Sequence, residues 1–200
     1  MNYKIRKASQ ADTSGLATSL ARAFDDDPIL NWLVRKDNKR KQGMKRMFHA
    51  CISDLCLPHD SVLVADDLSG GALWYPPETY KLSLIKQLLL GPKMIPVVGF
   101  NGLLRLALAM DISGRQHPKE SHYYLEFIGV IPECRGTGAG AALMMPILDI
   151  CDRDKCGAFL ISSKEINIPF YRRFGFAVQE KIFLGKDSPP IWPMWRNPQV

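Results

Sequence analysis

The stretch Arg135-Gly-Thr-Gly-Ala-Gly140 lies between an apolar run that reads as a strand, Tyr123 to Ile131, and one that reads as a helix, Ala141 to Cys151. A glycine-rich turn opening a helix leaves several backbone N–H groups without intrahelical partners, at the positive end of the helix dipole. Such a turn seats a phosphorylated ligand. Glycine suits it because a Cβ would block close approach, or a positive φ, or both. A Walker loop would need Gly-Lys-Ser/Thr to hold magnesium and the γ-phosphate, and that triplet is absent. A dinucleotide fingerprint is formally present as Gly136-Thr-Gly138-Ala-Gly140-Ala141. Too little chain follows it for the remaining βαβ units, and the acid expected about 20 residues on falls near Ser162.

The elements that position this turn are legible along the chain. Tyr3 to Lys7 alternates as a first strand. Ser9 caps a helix from Gln10 to about Phe24, with Leu16, Leu20 and Phe24 on one face. Asp25-Asp26-Asp27-Pro28 ends it, because proline disfavours helix at the residue before it. Ile29 to Val34 is a short helix, and Lys41 to Leu57 a longer one stopped by Pro58. Ser61 to Ala65 and Ala72 to Tyr75 are strands around a hairpin-like loop. Thr79 to Leu90 and Val97 to Met110 read as two helices, broken at Gly91-Pro92 and Pro96. His122 to Val130 is a strand, and beyond the glycine turn a helix runs to about Lys155. Ala158 to Ser162 is a buried strand, and Ile166 to Phe174 a short helix closed by Gly175. Phe176 to Leu184 and Ile191 to Arg196 are the last strands. This order predicts one α/β domain over residues 1–200: a mixed sheet flanked by helices, with a helical insert between strands 3 and 4.

Arg135, Gly138 and Gly140 match in register the Arg/Gln-x-x-Gly-x-Gly/Ala loop of the GNAT acetyltransferases. Upstream, Tyr124-Leu-Glu-Phe-Ile-Gly-Val130-Ile-Pro132 resembles that family's fourth strand running into the loop. Downstream, Asn167-Ile-Pro-Phe170-Tyr171-Arg-Arg-Phe-Gly175-Phe176 resembles its Asn-x-x-x-Tyr helix followed by Gly-Phe. The resemblance covers nearly the whole chain. It is greatest to the branch that includes puromycin N-acetyltransferase, through Ala23-Phe24-Asp25-Asp26-Asp27-Pro28, Ala72-Leu-Trp74-Tyr-Pro76-Pro-Glu78 and His117-Pro-Lys-Glu120-Ser-His122-Tyr-Tyr124-Leu. It implies a mostly antiparallel central sheet, acetyl-CoA as co-substrate, no metal, and transfer of acetyl to a small amine by direct attack. Acetylation of a protein lysine or N-terminus is the alternative within enzymes, and an acyl-CoA sensor without turnover the alternative outside them. The insert favours a closed small-molecule pocket over an open peptide groove.

The same resemblance implies roles. Main-chain N–H groups of Gly136, Thr137, Gly138, Ala139 and Gly140 hold the pyrophosphate, and Arg135 adds charge or orders the loop. Ile128 and Val130 pair their main chains with the pantetheine arm as an added strand would, while Gly129 serves a local distortion. One of these N–H groups polarises the thioester carbonyl. Tyr171 matches the general acid that protonates the leaving thiolate, and Asn167 bonds the pantetheine arm or simply caps its helix. Glu126 is the candidate base. It is expected to share side-chain parity with Ile128 and Val130, and a carboxylate among apolar neighbours has a raised pKa. A paired carboxylate, with water taking the proton, is the alternative. Asp26 and Asp27, between the first two helices, and Trp74, at a strand end, are candidate acceptor-binding residues. The acids fit a helix-terminal loop equally well.

Bulk properties exclude other classes. At 46% hydrophobic and 23% charged, the 200 residues can bury a core. The net charge of +6 is concentrated in Arg35 to Arg46. No aromatics are interleaved there to stack bases, so no nucleic-acid partner is expected. The uncharged stretch Met94 to Leu104 is too short and too broken to span a bilayer, and no membrane partner is expected. The N-terminal residues lack the apolar core of a signal peptide. Five cysteines without CxxC or Cys/His ligand spacing suit reduced thiols, hence a cytoplasmic location. His49, His59, His117 and His122 show no metal spacing. A homodimer is compatible with the chain.

Overall fold

The computed structural model describes residues 3–81 and 84–199. Eight strands and seven α-helices follow the expected order among these residues: β1 (Ile5–Lys7), α1 (Thr13–Ala23), α2 (Pro28–Leu33), α3 (Arg40–Ala50), β2 (Val62–Ala65), β3 (Gly70–Tyr75), α4 (Leu84–Val98), α5 (Phe100–Gly114), β4 (His122–Val130), α6 (Ala139–Arg153), β5 (Gly157–Ser162), α7 (Ile168–Arg172), β6 (Ala177–Val178), β7 (Ile182–Phe183) and β8 (Pro190–Arg196). The sheet order is β1-β2-β3-β4-β5-β8-β6, with β7 also paired to β8. Neighbours are antiparallel except β4 and β5, which run parallel. This is the mixed, mostly antiparallel sheet with an insert between strands 3 and 4.

Helices cover both faces. α1 presents Leu16, Ala17, Leu20 and Ala21 at helical spacing to one core, with α3 contributing Met44, Met47 and Phe48. α6 buries Leu143, Met144, Ile147, Leu148 and Cys151 against the opposite face. Two glycines let α1 lie close on the strands: a Cβ at Gly71 would meet Leu16 at 2.6 Å, and one at Gly129 would meet Phe24 at 2.8 Å and Ala23 at 2.9 Å. Arg196, only 3% exposed, ties β8 to α6 and α7 by donating two 2.7 Å bonds to Asp152 and one to the Phe174 carbonyl.

Several boundaries differ from the sequence expectation. The helix expected over Lys41 to Leu57 stops being α-helical at Ala50 and widens into a π-helical segment, Cys51–Cys56. Such wide turns are often found at functional sites. The insert does not break at Gly91-Pro92 or Pro96, since α4 carries Pro92 and Pro96 within it. The turn comes at Gly99, whose φ of 73° suits glycine. The expected start of the insert includes residues 82 and 83, which lie outside the described residues. Phe176 to Leu184 is two short strands, because β6 and β7 pair with different parts of β8. No single helix among the described residues is long and apolar enough to cross a membrane; Leu90–Val98 and Gly102–Gly114 reach that composition only as a pair, bent by 117°.

Candidate active site

The site begins where two parallel strands separate. β4 and β5 pair from His122↔Gly157 to Leu125↔Leu160, and there the ladder ends. β4 nevertheless continues to Val130, still paired to β3 as far as Gly70↔Val130, while β5 turns its other edge to β8. Residues 126–130 therefore present an unpaired backbone edge to a wedge between the strands. An extended ligand can add to such an edge as a strand would.

The cause of the divergence is visible in the register. Leu73 is opposite Phe127, but the next residue, Trp74, is opposite Leu125. Glu126 is thus the extra residue of a β-bulge, which bends and twists its strand. The bulge also overturns two sequence expectations. Gly129 does not serve the distortion; it serves the close crossing of α1. Glu126 does not share the face of Ile128 and Val130. Those two pack toward the α6 core, whereas Tyr124 and Phe127, which flank Glu126, pack toward the core of α1 and α3.

Glu126 keeps partial solvent access. Burial pushes its carboxyl from an ordinary 4.5 up to about 7, and a hydrogen bond from the Tyr124 hydroxyl partly offsets that. The groups around it are held neutral. Burial raises the Cys51 thiol and the Tyr75 and Tyr124 phenols, each further raised by the nearby Glu126 charge. Cys51 is the first residue of the π-helical segment and lies close enough to Glu126 to feel its charge. Sequence reasoning missed Tyr124 and Cys51 as site residues. The spacing of Tyr124, two residues before Glu126 on a strand, was the available signal for the first; nothing local marked the second.

Below the wedge, the glycine turn has the form expected of an anion seat. Gly136 and Gly138 have φ of 76° and 95°, and a Cβ at either meets nothing within 4 Å. Backbone conformation, not crowding, requires glycine there. Gly140 is different: a Cβ would touch Phe170 at 3.4 Å. The first bond of α6 is Ala142 N–H to the Gly138 carbonyl, so the N–H groups of Ala139, Gly140 and Ala141 have no acceptor within the helix. Thr137 turns its hydroxyl inward, 2.7 Å from the Cys134 carbonyl and 2.7 Å from the Tyr3 hydroxyl.

Arg135 orders the turn. It donates to the Ala23 carbonyl at 2.9 Å and pairs with Asp26 at 3.4 Å. Asp26 also accepts from Lys164 at 2.7 Å, and these cations hold its carboxyl below the usual range. Arg135 follows β4 and Lys164 follows β5, so Asp26 bridges the exits of the two diverging strands. Asp27 is 3% exposed; one oxygen accepts from Leu30 N–H at the start of α2, and the other from the Ser163 hydroxyl. Both acids have protein partners, as acids of a helix-terminal loop do, and the Asp26 side chain stays largely exposed. Trp74, expected at the acceptor site, packs on the other face of the sheet. It is fully buried with Leu143 and Leu148 beneath α6, because strand alternation sends it to the face opposite Tyr75.

Tyr171, in α7, is 8% exposed and buried beside Phe170 and Phe176. Burial raises its phenol well above the usual value, and the Asp27 charge adds to this. It therefore stays protonated across the physiological range. Asn167 precedes α7 but makes no capping hydrogen bond, which leaves its amide for another partner. Among the described residues no three His, Cys, Asp or Glu side chains converge as metal ligands. His117 and His122 instead face each other at 3.1 Å, and burial lowers His117 to about 3.

A surface cavity of about 570 Å³ lies elsewhere, lined by residues of α1, α3 and α4 that include Lys45, Arg46, His49 and Lys93. Neither Glu126, Tyr171, Asn167 nor the glycine turn lines it. Part of the basic Arg35 to Arg46 stretch is structurally paired: Arg35 with Asp37, and Arg40 with Asp25 and Asn31.

Residues 95–176 match the acetyltransferase (GNAT) family. An uncharacterized N-acetyltransferase of Schizosaccharomyces pombe is 27% identical over 221 residues, covering 98% of this chain and 83% of the relative. Among solved structures, a histone acetyltransferase and related acetyltransferase from Corynebacterium glutamicum superposes with a TM-score of 0.75 at 22% identity, covering 100% of this chain and 98% of the other. Arylalkylamine N-acetyltransferase 2 from Aedes aegypti gives 0.64 at 14% identity, with 100% of both chains covered. At these identities the structural likeness speaks for the fold.

Proposed function

We propose that this acyltransferase of the GNAT superfamily moves acetyl from acetyl-CoA to the amine of a small molecule. The observation that carries the reading is the wedge: a free β4 edge opens at Glu126, directly upstream of a helix N-terminus whose glycines leave room for a phosphate.

The residues present suit acetyl-CoA. The N–H groups from Gly136 to Gly140 hold its diphosphate at the positive end of α6. The main chains of Ile128 and Val130 pair with its amide-bearing arm, and Asn167 offers an amide from the opposite side. Bound there, acetyl-CoA supplies an activated thioester to an attacking amine. Glu126 takes a proton from the incoming ammonium, directly or through water, since a carboxylate titrating near 7 is poised for that transfer. Tyr171 gives its proton to the departing sulfur. A backbone N–H of the free edge steadies the charge on the thioester oxygen.

The packing of α4 and α5 over the core that underlies Glu126, with Met94, Leu103 and Leu106 against it, supports a small acceptor. The stretches Ala23–Pro28, Ala72–Glu78 and His117–Leu125 support a place near the branch that includes puromycin N-acetyltransferase. Five cysteines free of disulfides support a reducing, cytoplasmic setting. The experiment is CoA-thiol release from acetyl-CoA in the presence of a panel of small amines and lysine peptides. Saturable turnover with small amines is the expected result. Turnover of peptides alone would overturn the small-molecule reading, and tight acetyl-CoA binding without turnover would make the protein a sensor.

A further inference from the structure

The excess positive charge of this chain is concentrated in Arg35 to Arg46, and the transfer reaction calls on none of it. Part of that charge lines a different cavity. Helices α1, α3 and α4, with the π-helical segment, border about 570 Å³. The walls are tied together on two sides. α3 and α4 cross closely at Gly43, where a Cβ would meet the Pro96 carbonyl at 3.3 Å. Lys93 of α4 donates to Asp54 of the π-helical segment at 2.6 Å, and the Ser53 hydroxyl donates to the same carboxylate at 2.7 Å. A volume of this size suits a small organic molecule.

The charges around the cavity do not balance. Asp54 is the one acid among the described lining residues, and Lys93 matches it. Lys45 and Arg46 also line the cavity, and neither makes an ion pair among the described residues. Residues 82–89, which precede Lys93 in the chain, include Lys86 and no acid, so they bring no counter-charge. Two cations are therefore left unmatched. Apolar lining accompanies them: Ala17 and Ala50 are buried beneath, and Pro96 stands on the α4 side. The aliphatic stems of Lys45 and Arg46 add to that surface.

We infer that this cavity binds a small phosphomonoester on an apolar body, a ligand distinct from both acetyl-CoA and the acceptor amine. Lys45 and Arg46 hold the phosphate, and Ala17, Ala50 and Pro96 receive the body. A phosphomonoester carries nearly two negative charges at neutral pH, which matches the two unpaired cations. The guanidinium fork of Arg46 fits two phosphate oxygens. A nucleic-acid strand would want aromatic faces to stack on, and the described lining holds no Phe, Tyr or Trp.

The test is calorimetric titration of the full chain, with the glycine turn filled by saturating CoA. The probes are phenyl phosphate, inorganic phosphate, succinate and benzyl alcohol. Phenyl phosphate is expected to bind saturably, about tenfold tighter than inorganic phosphate, and benzyl alcohol not at all. Lys45→Gln and Arg46→Gln replace exposed side chains and spare the core. Each is expected to weaken phenyl phosphate by about tenfold or more. Lys41→Gln removes the same charge outside the lining and is expected to leave binding unchanged. Phosphate uptake seen only when CoA is left out would place the ligand at the glycine turn and overturn the assignment. Absence of saturable uptake, an equal loss in Lys41→Gln, or tighter binding of succinate overturns it as well. A chain that fails to bind CoA would sink the acetyltransferase reading, while the Lys45 and Arg46 variants would still decide this one.

Discussion

Replacing Glu126 with Gln should stabilise the protein while disabling it, and the pH dependence of the gain is the signature. In the unfolded chain this carboxyl titrates near 4.5; buried in the folded protein it is pushed up to about 7. Below 4.5 both states hold the proton, and the difference contributes nothing. As pH rises from 4.5 to 7, the unfolded chain releases its proton while the folded protein retains it. Folding is therefore opposed by about 1.4 kcal/mol per pH unit. Above 7 both are ionised, and the full penalty of about 3 kcal/mol is present. Glutamine has the same shape, can accept from the Tyr124 hydroxyl, and does not ionise. The stability difference between Glu126→Gln and wild type should therefore grow by about 2.5 kcal/mol between pH 5 and pH 8, or roughly 5–10 °C in Tm for a chain of this size. Urea unfolding of both proteins at each pH measures it, because every other titrating group cancels in the double difference. The same variant should lose the rise in kcat/KM through pH 7. A stability difference that does not change with pH would mean Glu126 is well solvated, and the physical basis for its role as base would be gone.

Tyr171→Phe should lower kcat by about a hundredfold with acetyl-CoA affinity unchanged, read by steady-state kinetics beside equilibrium titration; full activity across pH would exclude the phenol as proton donor. Gly138→Val forces a branched side chain into φ 95°, so it should destabilise by about 1–3 kcal/mol and abolish saturable acetyl-CoA uptake. Retained binding would show that the turn is not the phosphate seat.

Much of the site was readable because it depends on local backbone chemistry. The positive φ of Gly136 and Gly138, the start of α6, and the closing of α7 by Gly175 at φ 86° are properties of a few consecutive residues. Their types announce them in any context. Asp27 is a partial case. A loop between the first two helices was legible, but the acceptance of Leu30 N–H and the Ser163 hydroxyl by one buried carboxylate depends on a residue 136 positions away.

What could not be read was which way side chains point once partners intervene. Alternation along β4 predicted that Glu126, Ile128 and Val130 share a face, and it would have been right for an unbroken ladder. The bulge opposite Leu73 and Trp74 inverts the parity, and only the register with β3 reveals it. The same holds for Trp74, sent beneath α6, and for Asp26, held between two cations that follow different strands. Amino-acid order alone established the glycine turn and the succession of elements, since propensity and dihedral preference act within a few residues. Tertiary structure decided which of those groups meet, because pairing between distant strands sets the facing of each side chain and the dielectric around it.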